Sequence, residues 1–312
     1  MRNLADRKNT PLCWLVISAV LFVGCARTFP AREVGREKQD FNRKTTGQVS
    51  TITAREIVQR IKEHANCRWQ DKTVDTFKCG DPNAPVSGIA VTFAATLDVL
   101  KRAHSAGLNF IITHEPTFYH GYDDTSQLEK DEVLEAKRRF IKDNKLVIWR
   151  FHDHWHAIEP DGIVTGMVER LLWQQNLCRN EKLVFEFPET TVREFAATLK
   201  RKLNDETIRV VGNPEMKFRR VGLLVGAHDS IVQMRMLERG DVDVLVTGET
   251  REWETVEYAR DAATTGRRKA LILLGHANSE EAGMDYCARW LREFVPEIPV
   301  KFIQAGSPFW AP

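Results

Sequence analysis

From Thr51 onward the chain alternates strand-length apolar runs with segments of helical period, and this alternation restricts it to an α/β architecture. The expected strands are Gly88 to Phe93, Leu108 to Ile112, Leu146 to Phe151, Leu183 to Phe187, Ile208 to Val211, Val221 to Val225, Val242 to Val246, Ala270 to Leu274 and Val300 to Ile303. Several are apolar on consecutive positions, the pattern of strands covered on both faces. Between them the periodicity predicts helices over Leu97 to His104, Glu129 to Lys142, Ile163 to Trp173, Ile231 to Glu238, Glu252 to Ala262 and Glu280 to Phe294. Two more open on capping boxes: Thr53 with Glu56 before a helix through His64, and Thr191 with Glu194 before a helix through Leu203. A chain of 312 residues, 43% apolar and 28% charged, buries a core in one large domain or two small ones, and a division would fall near residue 185. No repeat of fixed period is present, which excludes solenoids and propellers.

The folded domain, expected over 51–312, is preceded by a different kind of segment. Arg2, Arg7 and Lys8 precede an apolar run from Leu12 to Val23 that ends in Gly24 and Cys25, the shape of an export signal over residues 1–25. The run is too short to cross about 30 Å of hydrocarbon as an untilted helix. Its ending, Phe22-Val23-Gly24-Cys25, resembles a bacterial lipobox, in which the cysteine takes lipid and becomes the mature N-terminus. The expectation is an exported protein of the cell envelope, anchored to the membrane through Cys25, with plain secretion the second reading and an uncleaved anchor the third. Residues 26–50, rich in Arg, Lys, Glu, Thr and Gln, read as a flexible tether. Cys13 leaves with such a signal. Of the remaining cysteines, Cys67 and Cys79 either close a disulfide in an oxidising compartment or stay free thiols. The formal charge of +2, from 45 basic and 43 acidic side chains, provides no field for a nucleic-acid partner.

The histidines carry the functional signal. His114, His152, His154, His156 and His276 all fall just after the end of an expected strand, where open α/β sheets gather their ligands. The same edge receives Glu115, Glu249 after the strand ending at Val246, and Glu280 one helical turn beyond His276. Imidazole and carboxylate together suit zinc, iron or manganese better than calcium. Taken alone, His114-Glu115 reads equally well as a polar loop start. In His152-Asp153-His154-Trp155-His156, alternate residues point in different directions, so the three histidines should not all serve one ion. Asn278 or Ser279 is expected to cap the helix that follows His276. His64, His104, His120 and His228 read as ordinary surface or core residues.

The segments Val-Ser-Gly-Ile-Ala-Val-Thr-Phe, Phe-Ile-Ile-Thr-His-Glu-Pro-Thr-Phe, Val-Thr-Gly-Glu and Gly-His-Ala-Asn-Ser-Glu follow one another along the chain. In kind and order they are similar to those of the Nif-three-like family, the dinuclear metal-centre proteins often labelled GTP cyclohydrolase I type 2 homologues. The resemblance runs from Thr53 to Gln304. It implies a layered α/β fold of two related, interlocked halves with mixed sheets, assembled into ring-shaped homo-oligomers, commonly hexamers. The family's usual ligands are a His-His pair before proline, the aspartate of a His-x-x-x-Asp segment, and the His and Glu of the final motif. Carried over, these positions are His114, Glu115, His156, His276 and Glu280. Glu115 thus stands where a histidine is usual and His156 where an aspartate is, as if imidazole and carboxylate had exchanged places. An imidazole does not bridge two ions as a carboxylate does, so Glu280 becomes the expected bridge. His152 is assigned a supporting role behind the ligands. Trp253 occupies a position where the family often has a histidine.

Two divalent ions held in this way imply hydrolysis of an unknown small-molecule substrate, with Glu249 as general base or as a group behind the ligands. The competing expectation is a metal-binding scaffold or interaction protein without catalysis, and a third is an α/β domain with no metal. No Gly-x-x-x-x-Gly-Lys loop or dinucleotide fingerprint is present, so a nucleotide substrate rests on the resemblance alone.

Overall fold

The apolar runs become strands, as their pattern dictates. The structure is a computed structural model and describes residues 51–312, so the export signal, Cys13, Cys25 and the tether lie outside the described residues. In chain order the first elements are α1 (Ala54–His64), β1 (Phe77–Cys79), β2 (Ile89–Thr92), α2 (Leu97–Ser105), β3 (Phe110–Thr113), α3 (Glu132–Asp143), β4 (Val147–Arg150), α4 (Asp153–Ala157) and α5 (Gly162–Leu171). They are followed by β5 (Val184–Thr191), α6 (Val192–Leu203), β6 (Arg209–Val211), β7 (Lys217–Leu224), α7 (Ser230–Glu238), β8 (Val244–Thr247), α8 (Glu257–Thr264), β9 (Ala270–Leu273), α9 (His276–Arg292) and β10 (Val300–Phe302).

Two five-stranded mixed sheets result, in the orders β1-β4-β3-β2-β10 and β5-β7-β8-β9-β6. In the first, β10, β2, β3 and β4 are parallel and β1 is an antiparallel edge. In the second, β7, β8 and β9 are parallel, flanked by antiparallel β5 and β6. The chain passes from one sheet to the other between β4 and β5, and β10 returns to the first sheet, which interlocks the halves. Every residue of β2, β3, β4, β8 and β9 is buried, as consecutive apolar runs require. β5 and β7 outrun their apolar cores because antiparallel pairing continues through polar residues as far as Thr191 and Lys217. Both capping boxes form with reciprocal bonds.

Packing then brings α4 and α9 together. Trp155 on α4 is fully buried, its ring centroid 5.2 Å from Trp290 and 5.7 Å from Tyr286 on α9, and its Nε1 donates to Gly283 O at 3.2 Å. Gly283 allows α5 to approach α9 closely, since a Cβ there would lie 2.4 Å from Ile163 Cα.

Some expectations fail, each for a tertiary reason. The short edge strand β1 and the five-residue α4 carry too little periodicity to be read. Helix α9 starts at His276 rather than Glu280, and neither Asn278 nor Ser279 caps it. Asn278 Nδ2 instead donates to Asp205 and Leu274 O, while Ser279 Oγ accepts from Gly226 N and donates to His276 O. The helix expected from Glu252 begins as a π-turn, Glu252–Val256. Cys67 and Cys79 are free thiols, and burial pushes Cys79 up to about 11. Among the described residues no helix is long and apolar enough to cross a membrane.

Candidate metal centre

The site is assembled where strands end. His114 and Glu115 follow β3, His152 follows β4, His156 lies on α4, Glu249 follows β8, and His276 and Glu280 occupy the first turns of α9. Glu280 is 3% exposed; its Oε2 lies 3.3 Å from His114 Nε2 and 3.1 Å from His276 Nε2, and its Oε1 lies 3.8 Å from His156 Nε2. Glu115 Oε1 lies 3.5 Å from His276 Nε2 and 3.8 Å from His152 Nε2.

Each ring is oriented through its other nitrogen. His114 Nδ1 is 3.1 Å from Phe151 O, His152 Nδ1 3.0 Å from Asp153 Oδ1, His156 Nδ1 2.9 Å from Asp161 Oδ2, and His276 Nδ1 3.5 Å from Glu249 Oε2. A carbonyl or carboxylate at Nδ1 accepts that nitrogen's proton, so in the neutral ring Nε2 carries the lone pair and points inward, the arrangement of metal-binding histidines. His114 Nε2 tests the fit. It is buried and makes no hydrogen bond, although Glu280 Oε2 lies at 3.3 Å, because the contact lacks hydrogen-bond geometry. In the neutral ring this sets a lone pair against a carboxylate, and a cation between them resolves the conflict. Donor atoms of His114, His152 and His156 lie within 4.8 Å of one another, as do those of His114, Glu115 and Glu280. The residues present therefore fit a His/Glu metal site.

The charges respond to this crowding. Burial opposes a charged His276 ring, but Glu249, Glu280 and Glu115 together raise it to about 10. Burial, with the adjacent His114 and His156 rings, pushes His152 down to about 4. Glu280 is held well below the usual carboxylate range: burial works against its charge, and His114 and His276 outweigh it. Arg150, 4% exposed, donates through Nε to His114 O at 2.9 Å, and its Nη2 lies 3.7 Å from Glu115 Oε2, so it braces both neighbours.

All five residues carried over from the motifs meet here. His152, expected behind the ligands, presents Nε2 among them. His154 turns away: its Nδ1 faces Asp75 Oδ2 at 2.7 Å, its Nε2 accepts from Gln70 N at 2.9 Å, and its ring stacks on Trp69. Glu249 is a partner of His276, with 55% of its side chain exposed. Trp253 is 75% exposed on the π-turn. Sequence reasoning missed Asp75, whose surroundings carry no signal, and Asp161, which a search for N-caps would have found at the start of α5.

Gly226 leaves room for the Glu280 carboxylate. Its φ is +70°, and a Cβ there would stand 2.0 Å from Glu280 Oε1. Gly226→Ala should displace the carboxylate, weakening ion binding at least about tenfold while costing about 1–2 kcal/mol of stability. Chelator competition and thermal melting measure the two effects. Unchanged ion affinity would remove Gly226 from this role.

Over residues 52–308 the chain matches the family model described as Duf34/NIF3 (NGG1p interacting factor 3). A Clostridium perfringens protein named GTP cyclohydrolase 1 type 2 homolog is 22% identical over 244 residues, covering 74% of this chain and 88% of that protein. The crystal structure of a Staphylococcus aureus hypothetical protein superposes with a TM-score of 0.66 at 18% identity, covering 83% of this chain and 99% of the other. A Bacillus cereus protein related to NIF3 gives 0.65 at 15% identity, covering 84% and 99%. At these identities the structural likeness is one of fold.

Proposed function

The chain belongs to the Duf34/NIF3 family, and from that premise we propose that it is an exported hydrolase dependent on two divalent metal ions and acting on a small molecule. The observation that carries this reading is the convergence of four Nε2 atoms on Glu115 and Glu280, each ring braced through Nδ1. His114, Glu115, His152, His156, His276 and Glu280 are the residues that would hold the ions. The donor set suits zinc, iron or manganese. Bound there, such ions would polarise a substrate oxygen and make water a nucleophile at neutral pH.

The chain's own groups have distinct tasks. Phe151 O, Asp153, Asp161 and Glu249 hold the rings in one tautomer. His114 and Glu280 form the buried side of the centre, while His152, His156 and His276 are partly open to solvent. Glu249 acts as a positioning residue on His276, and its exposed oxygen remains free to accept a proton from a substrate at the cluster's edge. The charged start, apolar run and lipobox support export to the cell envelope, with membrane attachment through lipid on Cys25. The family resemblance supports a homo-oligomer, with a hexameric ring as the expected form.

Elemental analysis of the purified mature protein tests the centre. The expected result is two divalent ions per chain, and a content below one ion per chain would overturn the reading. With ions loaded, turnover across a panel of amides, esters and phosphoesters separates a hydrolase from a scaffold.

A further inference from the structure

The cleft that opens onto the cluster has a polar floor and apolar walls. Its volume is about 580 Å³, within the range of small-molecule sites. His152, His156 and Glu280 form the end nearest the cluster, while Ile158, Val164, Leu177, Leu183 and Val225 line the sides. Leu177 keeps 45% of its surface in solvent. An apolar side chain held exposed at the rim of an apolar-walled cleft gains most when a ligand covers it.

The charges of the lining point the same way. Beyond Glu280, the cleft is bordered by Glu159, Asp161 and Glu181, and by a single lysine, Lys182. Lys182 is already paired with Glu159 at 2.6 Å, and Arg239, behind the wall, is committed to Glu181 at 2.7 Å. His228 stands at the solvent edge, where partial burial and the His156 ring hold its pKa below the ordinary value. Carboxylates therefore outnumber basic side chains along the walls. A polyphosphate lying along these walls would meet carboxylates and apolar surface, an arrangement that disfavours binding.

We infer that this cleft seats the uncharged, apolar body of a small molecule, such as an aryl or alkyl amide, lactam or ester, along its walls, with the molecule's polar group at the Glu280 end. The position of the scissile group rests on the hydrolase reading; the apolar seat stands apart from it.

Two dyes with the same aromatic body test the seat on the full, ion-loaded protein: neutral N-phenyl-naphthylamine and its sulfonated analogue, anilinonaphthalene sulfonate. Fluorescence titration should find the neutral dye bound about tenfold more tightly, and Leu177→Asp should weaken it by about tenfold, a difference of roughly 1.4 kcal/mol. Leu177 is exposed, so the variant should fold, and its melting temperature checks that. A sulfonated dye that binds as tightly as the neutral one, or a Leu177→Asp variant with unaltered neutral-dye affinity, overturns the inference. The same titration on Glu280→Gln separates the two readings. Neutral-dye binding that is retained there and still sensitive to Leu177 supports the seat whatever becomes of the ions.

Discussion

Glu280→Gln should yield a folded protein that has lost its divalent ions. Glu280 Oε2 lies between two imidazole nitrogens, 3.3 Å from His114 and 3.1 Å from His276, and Oε1 faces His156 at 3.8 Å. Glutamine keeps the shape and removes the charge. It also replaces one acceptor oxygen by an N–H₂ donor, which cannot bind a cation. Loss of a group behind the ligands costs about 10–100-fold in metal affinity, so loss of the carboxylate at the middle of the cluster should cost at least about 100-fold. Chelator competition and elemental analysis give the number, and metal content equal to the parent's would sink the assignment. A second readout is independent of the ions. In the ion-free protein the carboxylates hold His276 up to about 10, and removal of Glu280 should bring the ring down toward its ordinary value, visible by NMR titration.

Asp75→Ala should be the most damaging substitution outside the cluster. The Asp75 carboxylate accepts from three successive backbone N–H groups at the start of α4, with Oδ1 2.7 Å from His152 N and 3.0 Å from Asp153 N, and Oδ2 2.9 Å from His154 N. Oδ2 also faces His154 Nδ1 at 2.7 Å. Asp75 is 5% exposed, so alanine would leave these donors buried and unpaired. With charge-assisted bonds worth roughly 1.5–3 kcal/mol each and partial relaxation, a loss of about 3–5 kcal/mol is expected. Because α4 carries His156 and begins beside His152, ion affinity should fall as well. Asp75→Asn keeps one carbonyl acceptor and should be intermediate in both respects. Denaturant unfolding followed by ion titration measures the pair; an unfolding midpoint unchanged in Asp75→Ala would refute the role.

The legible part of this protein was the part written in local pattern. Consecutive apolar runs located β2, β3, β4, β8 and β9, because strands buried on both faces favour apolar residues at successive positions. The capping boxes located α1 and α6, because the bonds involved span three residues. Short elements escaped. A five-residue helix has no period to detect, and α4 forms around Asp75, which lies 79 residues from His154. The start of α9 escaped because Asn278 and Ser279, good caps by type, are engaged by Asp205 and Gly226 from other parts of the chain.

The same division runs through the site. His114, Glu115, His156, His276 and Glu280 were identifiable from residue type, from position after a strand, and from motif order. Whether an imidazole serves as a ligand or a strut depends on what meets its second nitrogen. His152 and His154 are near neighbours of one kind, yet the first turns Nε2 toward Glu115 and the second is locked between Asp75 and Gln70. Sequence by itself determined the α/β alternation, the parallel strands and the residues collected at their ends, because these follow from burial and backbone geometry over a few residues. Tertiary structure alone decided which nitrogens face the centre and how the cleft beside it is walled, because those depend on hydrogen-bond partners and packing surfaces that the fold gathers from distant segments.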